Sequence, residues 1–267
     1  MTRDLPQLRL SEKFSFVPTW LIVTALTIGF TLSMAGFVLA FVHAPLVKGA
    51  NLSATVLIAD QAVSNKLLFS QKIFYFHVPV AIASFATFVF TAYYGVRYLM
   101  TKRADFDRRA TIATQVTVVF VLATMVSGML WTRFEWGVWW VWEPRLTTYF
   151  ILTLMVIGYF VLRNAIDDPE RRATFCSVFG IIAFLNAPLS FGITRLVPSS
   201  IHPVVIRSDS GLSPDMLIPF LLGIFGMLML AFALYHLRYR SCVLADETEA
   251  AKERLEKLLQ VTKERSL

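Results

Sequence analysis

A chain of 267 residues with 56% hydrophobic residues, 16% charged residues and a mean hydropathy of +0.61 lies outside the soluble range, since soluble domains are about 45–50% apolar. Together with 23 phenylalanines, this predicts a polytopic membrane protein. The net charge of +7 does not point to nucleic acid, because lysines and arginines in short loops set membrane orientation.

Six apolar segments are long enough to cross a bilayer, which takes about 20 residues each. They run approximately from Trp20 to Val42, Ile73 to Met100, Thr111 to Trp131, Leu146 to Leu162, Thr174 to Thr194 and Met216 to Leu237. The predicted fold is therefore all-α, with six transmembrane helices in a domain spanning 1–240. The first segment follows Arg3, Asp4, Arg9, Glu12 and Lys13. It is too long for a signal-peptide core and reads as a retained anchor. Between segments 1 and 2, Asn51-Leu52-Ser53 reads as a cap for a short helix through Val63. The 2–3 connection, with Lys102, Arg103, Arg108 and Arg109, reads as a compact basic loop at the lipid headgroups. From 241 to 267 the charges mix with Leu255, Leu258 and Leu259 at helical spacing, which predicts an amphipathic tail.

Most of the 25 lysines and arginines fall in the N-terminus, the 2–3 and 4–5 connections and the C-terminus. Only Lys48, Lys66, Lys72, Arg133, Arg145, Arg195 and Arg207 fall in the other three. The positive-inside rule then places both termini in the cytoplasm and the 3–4 connection on the outer face.

That connection carries WGVWWVWEPRLTTYF, residues 136–150, with Trp131 just ahead of it. If the stretch is helical, Trp136, Trp139 and Trp140 share one face that Glu143 continues. Such a face is a flat, apolar shelf for a flat ligand such as a porphyrin. An aromatic belt at the membrane interface is the alternative reading.

Of the four histidines, His43, His77 and His202 fall near the outer face and His236 near the inner one. His77 lies in FHVP and His202 in SSIHPVV. Neutral imidazoles are the usual axial ligands of haem iron, and two can take it from opposite faces. A lone interfacial histidine is otherwise explained by a hydrogen bond to a headgroup or carbonyl, which is the reading for His43 and His236. Cys176 and Cys242 form no CxxC or CxxCH spacing, so the chain has no covalent haem-attachment motif of its own. No phosphate-binding glycine loop, HExxH or GxSxG is present, so the chain does not read as an enzyme.

The run WGVWWVWEPRLT resembles the tryptophan-rich WWD signature of haem-handling proteins in cytochrome c maturation. With FHVP and the six-segment layout, the chain is similar to the CcmC family in particular, with the WWD segment at 131–150. The resemblance implies that haem b is held transiently and non-covalently at the outer surface of the bacterial inner membrane, or of its organellar equivalent. From there haem passes to the chaperone CcmE. It also implies a CcmA-like ATPase, a CcmB-like permease and a small CcmD-like subunit as partners in an ABC-type complex.

On this reading His77 and His202 are the axial ligands. Trp131, Trp136, Trp139, Trp140, Trp142 and Glu143 form the haem platform and chaperone interface, and Arg145, Arg133 and Arg207 are candidates for the propionates. Two residues depart from the pattern: Glu143 stands for the signature's Asp, and Pro144 follows it. LVPSS also replaces the aromatic lead into His202. The competing classes are a redox protein with permanently bound bis-His haem b and a haem-translocating permease.

Overall fold

The computed structural model describes residues 17–45, 54–58, 61–65, 69–197, 202 and 212–265. Six helices are long and apolar enough to cross a membrane. They are α1 (Thr19–Val42), α2 (Phe74–Thr101), α3 (Ala104–Trp136), α4 (Pro144–Ala165), α5 (Pro169–Leu196) and α6 (Pro214–Arg265). The all-α, six-span expectation holds, with one small addition.

The addition is an antiparallel hairpin of β1 (Ala54–Ile58) and β2 (Gln61–Asn65), which pairs Ala54 with Asn65 and Ile58 with Gln61. It replaces the short helix expected through Val63. Thr55, Val56, Ile58 and Val63 are β-branched and lose rotamer freedom in a helix but not on a pleated strand. The suggested cap at residues 51–53 lies outside the described residues.

Helix boundaries depart from the hydropathy reading at the charged ends. The α2–α3 connection is only Lys102, in the left-handed region with φ 55°, and the extended Arg103. Arg108 and Arg109, expected in a loop facing headgroups, lie within α3 and are paired. Arg109 Nε donates to Asp105 at 2.8 Å and Arg108 to Asp246 at 2.5 Å. The Arg109 pair is part-buried and the Arg108 pair lies at the surface. Helix α6 is one helix of 52 residues, so the expected tail continues it without a break.

Alternating helices give the bundle two ends. At the basic end, Arg163 of α4 grips Asp107 of α3 through two bonds of 2.9 and 2.7 Å, and Arg240 donates to Thr19 at 2.6 Å. The tryptophan end carries the α3–α4 connection and the start of α2. There Lys72, buried, donates to the Ala44 carbonyl, and Gln71 to the Pro45 carbonyl at 3.0 Å. Free carbonyls beyond the C-terminus of α1 thus meet donors from the short 3-10 turn at Phe69–Ile73.

Helix α2 is the hub, packing against α3, α5 and α6. Its interface with α3 is bridged by hydroxyls: Thr117 donates to Thr87 at 2.9 Å, and Thr91 meets Thr114 at 3.2 Å. Thr114 and Thr117 also bond to carbonyls one turn back, at 2.8 and 2.9 Å. Such small polar residues let membrane helices approach closely without stranding a polar atom. Helix α1 docks on α6 through glycines. A Cβ on Gly36 would lie 2.7 Å from the Pro219 carbonyl oxygen, and one on Gly29 2.9 Å from the Leu230 nitrogen.

Candidate functional site

The tryptophan segment is broken, not helical. Trp136 is the last residue of α3, Gly137 follows with φ 78°, and α4 starts at Pro144. The left-handed glycine ends one helix, and proline at the first position of the next keeps Glu143 out of the helical region. Glu143 N-caps α4, its Oε1 accepting the Leu146 N–H at 2.7 Å. Within the link, Thr132 Oγ1 donates to the Trp139 carbonyl at 2.9 Å, and Arg133 donates to the Gly137 carbonyl. The common face expected for Trp136, Trp139 and Trp140 in a helix is therefore not formed.

The tryptophans sort instead into two sets. Trp131 and Trp136 are buried in an edge-on pair with centroids 4.9 Å apart, packed with Val141. Trp139 and Trp142 are exposed, at 55% and 58%. Trp140 lies between, with Trp142 at 5.5 Å and Phe150 at 5.7 Å. The Nε1 atoms of Trp136 and Trp140 are buried and have no hydrogen-bond partner among the described residues.

His77 stands near the start of α2, ahead of Pro79. Its Nδ1 lies 2.9 Å from Ser127 Oγ of α3, and Gly128 leaves the room its ring occupies. His202 comes from the α5–α6 connection, its side chain 15% exposed and its ring 5.7 Å from that of Trp131. Burial holds its imidazole neutral, well below the usual histidine range, and the charge of Arg145 and the proximity of His77 add to this. Glu143 Oε1 is 3.7 Å from His202 Nδ1, too far for a hydrogen bond and already engaged by Leu146, so burial prevails.

Arg145, in the first turn of α4, acts electrostatically on both histidines, with its guanidinium 5.6 Å above the Phe191 ring. The other candidates stand apart. Arg133 is exposed, caps the end of α3 and lies 5.8 Å over Trp139. Arg207 lies outside the described residues. His43 faces Asp215 at 3.5 Å, both well exposed, and His236 packs on Phe232 and Tyr235. Sequence reasoning missed Ser127 and Gly128, because their meeting with His77 crosses two helices and 50 positions.

Six apolar spans, with two imidazoles, a cation and an indole cluster toward one end, define an integral membrane protein. The chain matches the family described as CcmC, Heme exporter protein C, over residues 8–254. It is 30% identical to Heme exporter protein C of Escherichia coli K12 over 181 residues, 67% of this chain and 72% of that one. Against Heme exporter protein C of Rhodobacter capsulatus the identity is 28% over 186 residues, 68% and 77% of the two chains. A putative cytochrome c biosynthesis ccmC-like mitochondrial protein of Marchantia polymorpha is 30% identical over 179 residues, 65% of this chain and 74% of the relative. The chain belongs to the Heme exporter protein C family.

Proposed function

We propose that this protein handles haem for cytochrome c maturation, holding it at the tryptophan end and presenting it to a CcmE-like chaperone. The observation that carries the reading is that His77, held by Ser127, and His202, packed beside Trp131, both stand at the tryptophan end and both feel the charge of Arg145. They come from elements 125 positions apart in sequence, yet each lies within electrostatic reach of the other and of Arg145. Haem is the cargo, and its iron takes neutral imidazoles as axial ligands. His202 is kept in that neutral form by its surroundings.

The remaining donors suit a porphyrin carrying two carboxylates. Arg145 offers a planar guanidinium for a propionate, and the buried indole N–H groups of Trp136 and Trp140 offer further donors. Trp131 lines the His202 side. Exposed Trp139 and Trp142 present aromatic surface for the chaperone. Two axial ligands keep the iron unreactive until the chaperone's own ligand displaces one of them. On this reading the protein is a carrier, and ATP hydrolysis belongs to a CcmA-like subunit acting with CcmB-like and CcmD-like partners. The tryptophan end faces the periplasm across a bacterial inner membrane, or the equivalent organellar compartment. The 241–267 region is the cytoplasmic tail.

The test is the haem content and optical spectrum of the purified full-length protein in lipid nanodiscs, beside His77→Ala and His202→Ala. Low-spin bis-imidazole bands in wild type that are lost in both variants, with haem still passing to added chaperone, are the expected result. Wild-type protein that binds no haem when supplied with it overturns the reading.

A further inference from the structure

The reading of His77 as an iron ligand leaves open which of its nitrogens carries the proton. A neutral imidazole has one N–H and one lone pair, and only the nitrogen with the lone pair can bind a metal. The structure assigns this choice to Ser127: we propose that Ser127 fixes the proton of His77 on Nδ1 and so keeps the Nε2 lone pair available to the cargo iron.

Ser127 turns its side chain back on the α3 backbone. Its hydroxyl has one proton. Ser127 Oγ lies 2.7 Å from the Ala123 carbonyl oxygen one turn back, and 3.1 Å from the Thr124 carbonyl oxygen. Two oxygens approach to 2.7 Å only with a proton between them. The hydroxyl proton is therefore committed to the α3 backbone, and what Oγ offers outward is a lone pair. His77 Nδ1 sits 2.9 Å from that oxygen. The contact is a hydrogen bond only if Nδ1 is the donor, which leaves Nε2 without a proton. In the opposite tautomer two lone pairs would face each other at 2.9 Å across a part-buried contact, on the side of a serine that is only 5% exposed.

Gly128 completes the seat. A Cβ added there would lie 3.1 Å from His77 Cε1, against 3.7 Å from Nδ1 and 4.0 Å from Nε2. The ring thus rests against bare backbone at Gly128 while the neighbouring serine holds its Nδ1. Two successive residues of α3 set the tilt and the tautomer of a ligand carried by α2. A hydrogen bond to the distal nitrogen of a metal-bound imidazole also raises its basicity, and losing such a partner typically costs about 10–100-fold in metal affinity. Ser127 is a positioning residue, acting on haem only through His77. Its role in haem binding rests on the proposed function, whereas the tautomer does not.

The experiment has two readouts on full-length protein in nanodiscs. The first is the tautomer of His77 in haem-free protein, by nitrogen NMR with labelled histidine and His77→Ala as the assignment control. Wild type and Ser127→Thr should show the Nδ1–H form, and Ser127→Ala a mixture or the Nε2–H form. The second is haem affinity with the low-spin spectrum. It should fall about 10-fold or more in Ser127→Ala and stay near wild type in Ser127→Thr. Gly128→Ala, which displaces the ring without removing the acceptor, should change the spectrum while keeping the Nδ1–H form. An Nε2–H tautomer in wild type overturns the proposal, as does a Ser127→Ala variant with wild-type tautomer and affinity. If His77→Ala binds haem like wild type, the ligand reading fails, and the haem-free NMR result still decides the tautomer.

Discussion

Arg145 is placed so that one charge bears on two imidazoles, and this shows most clearly at His202. That histidine lies outside the six spans, and burial, Arg145 and His77 all hold it neutral. Unfolded, it would titrate near 6.5. As pH falls through 6.5, the unfolded chain therefore takes up a proton that the folded one refuses, and the folded state loses stability. In haem-free protein, the His202 signals followed by NMR should titrate well below 6.5. Arg145→Gln should move that midpoint upward, because one of the causes is removed while burial stays. An unmoved midpoint would mean that burial alone holds the imidazole neutral.

The residues involved were legible in the sequence to different degrees. His77 and His202 stand out by residue type and by their place near the ends of apolar segments. The sorting of the tryptophans was hidden in plain view, since Gly137 and Pro144 mark the break that a helical reading of the segment passes over. Ser127 gave no signal, because a serine in an apolar segment is indistinguishable from ordinary small-residue packing.

Among the elements, α1 has the simplest attachment. It docks chiefly on α6 and leaves much of its surface, including Trp20, Phe30 and Phe41, exposed toward lipid. Lipid tails are as apolar as these side chains, so hydrophobicity cannot press α1 against the bundle. Close backbone approach does so instead, at Gly29 and Gly36. Gly36→Leu should therefore loosen α1 from α6 with little effect on insertion, because leucine favours the membrane. Disulfide trapping between cysteines placed at Ala25 and Ala233, which share one buried cluster between the two helices, reads this without adding a Cβ to the glycine seam. Efficient trapping with Gly36 intact and its loss in Gly36→Leu is the expected outcome. Hydropathy finds α1 easily, but it is blind to this seam and to the hydroxyls between α2 and α3. Both depend on which faces meet, and a one-dimensional profile averages over faces. The same averaging ended the sixth segment at Leu237, where the charges begin, although the helix itself continues.

For the whole molecule, the charges separate by end. The basic end gathers Lys102, Arg103, Arg108, Arg109, Arg163, Arg171 and Arg172 around the turns between spans, and the orientation proposed above has that end in the cytoplasm. Glu253→Cys in a Cys242→Ser background places a single reactive thiol on the exposed far part of α6, with Cys176 buried. A membrane-impermeant maleimide should label it only in inverted vesicles, and labelling in right-side-out vesicles would reverse the assigned orientation. At 1.5 Å per residue the 52 residues of α6 extend about 78 Å, against about 30 Å for the hydrocarbon core. The helix is thus a pendulum arm pivoted in the bilayer. A tilt of about 10° pivoted at the edge of the hydrocarbon core would sweep the far tip, about 48 Å beyond it, sideways by about 8 Å, so small rearrangements among the spans are carried into the water beyond them.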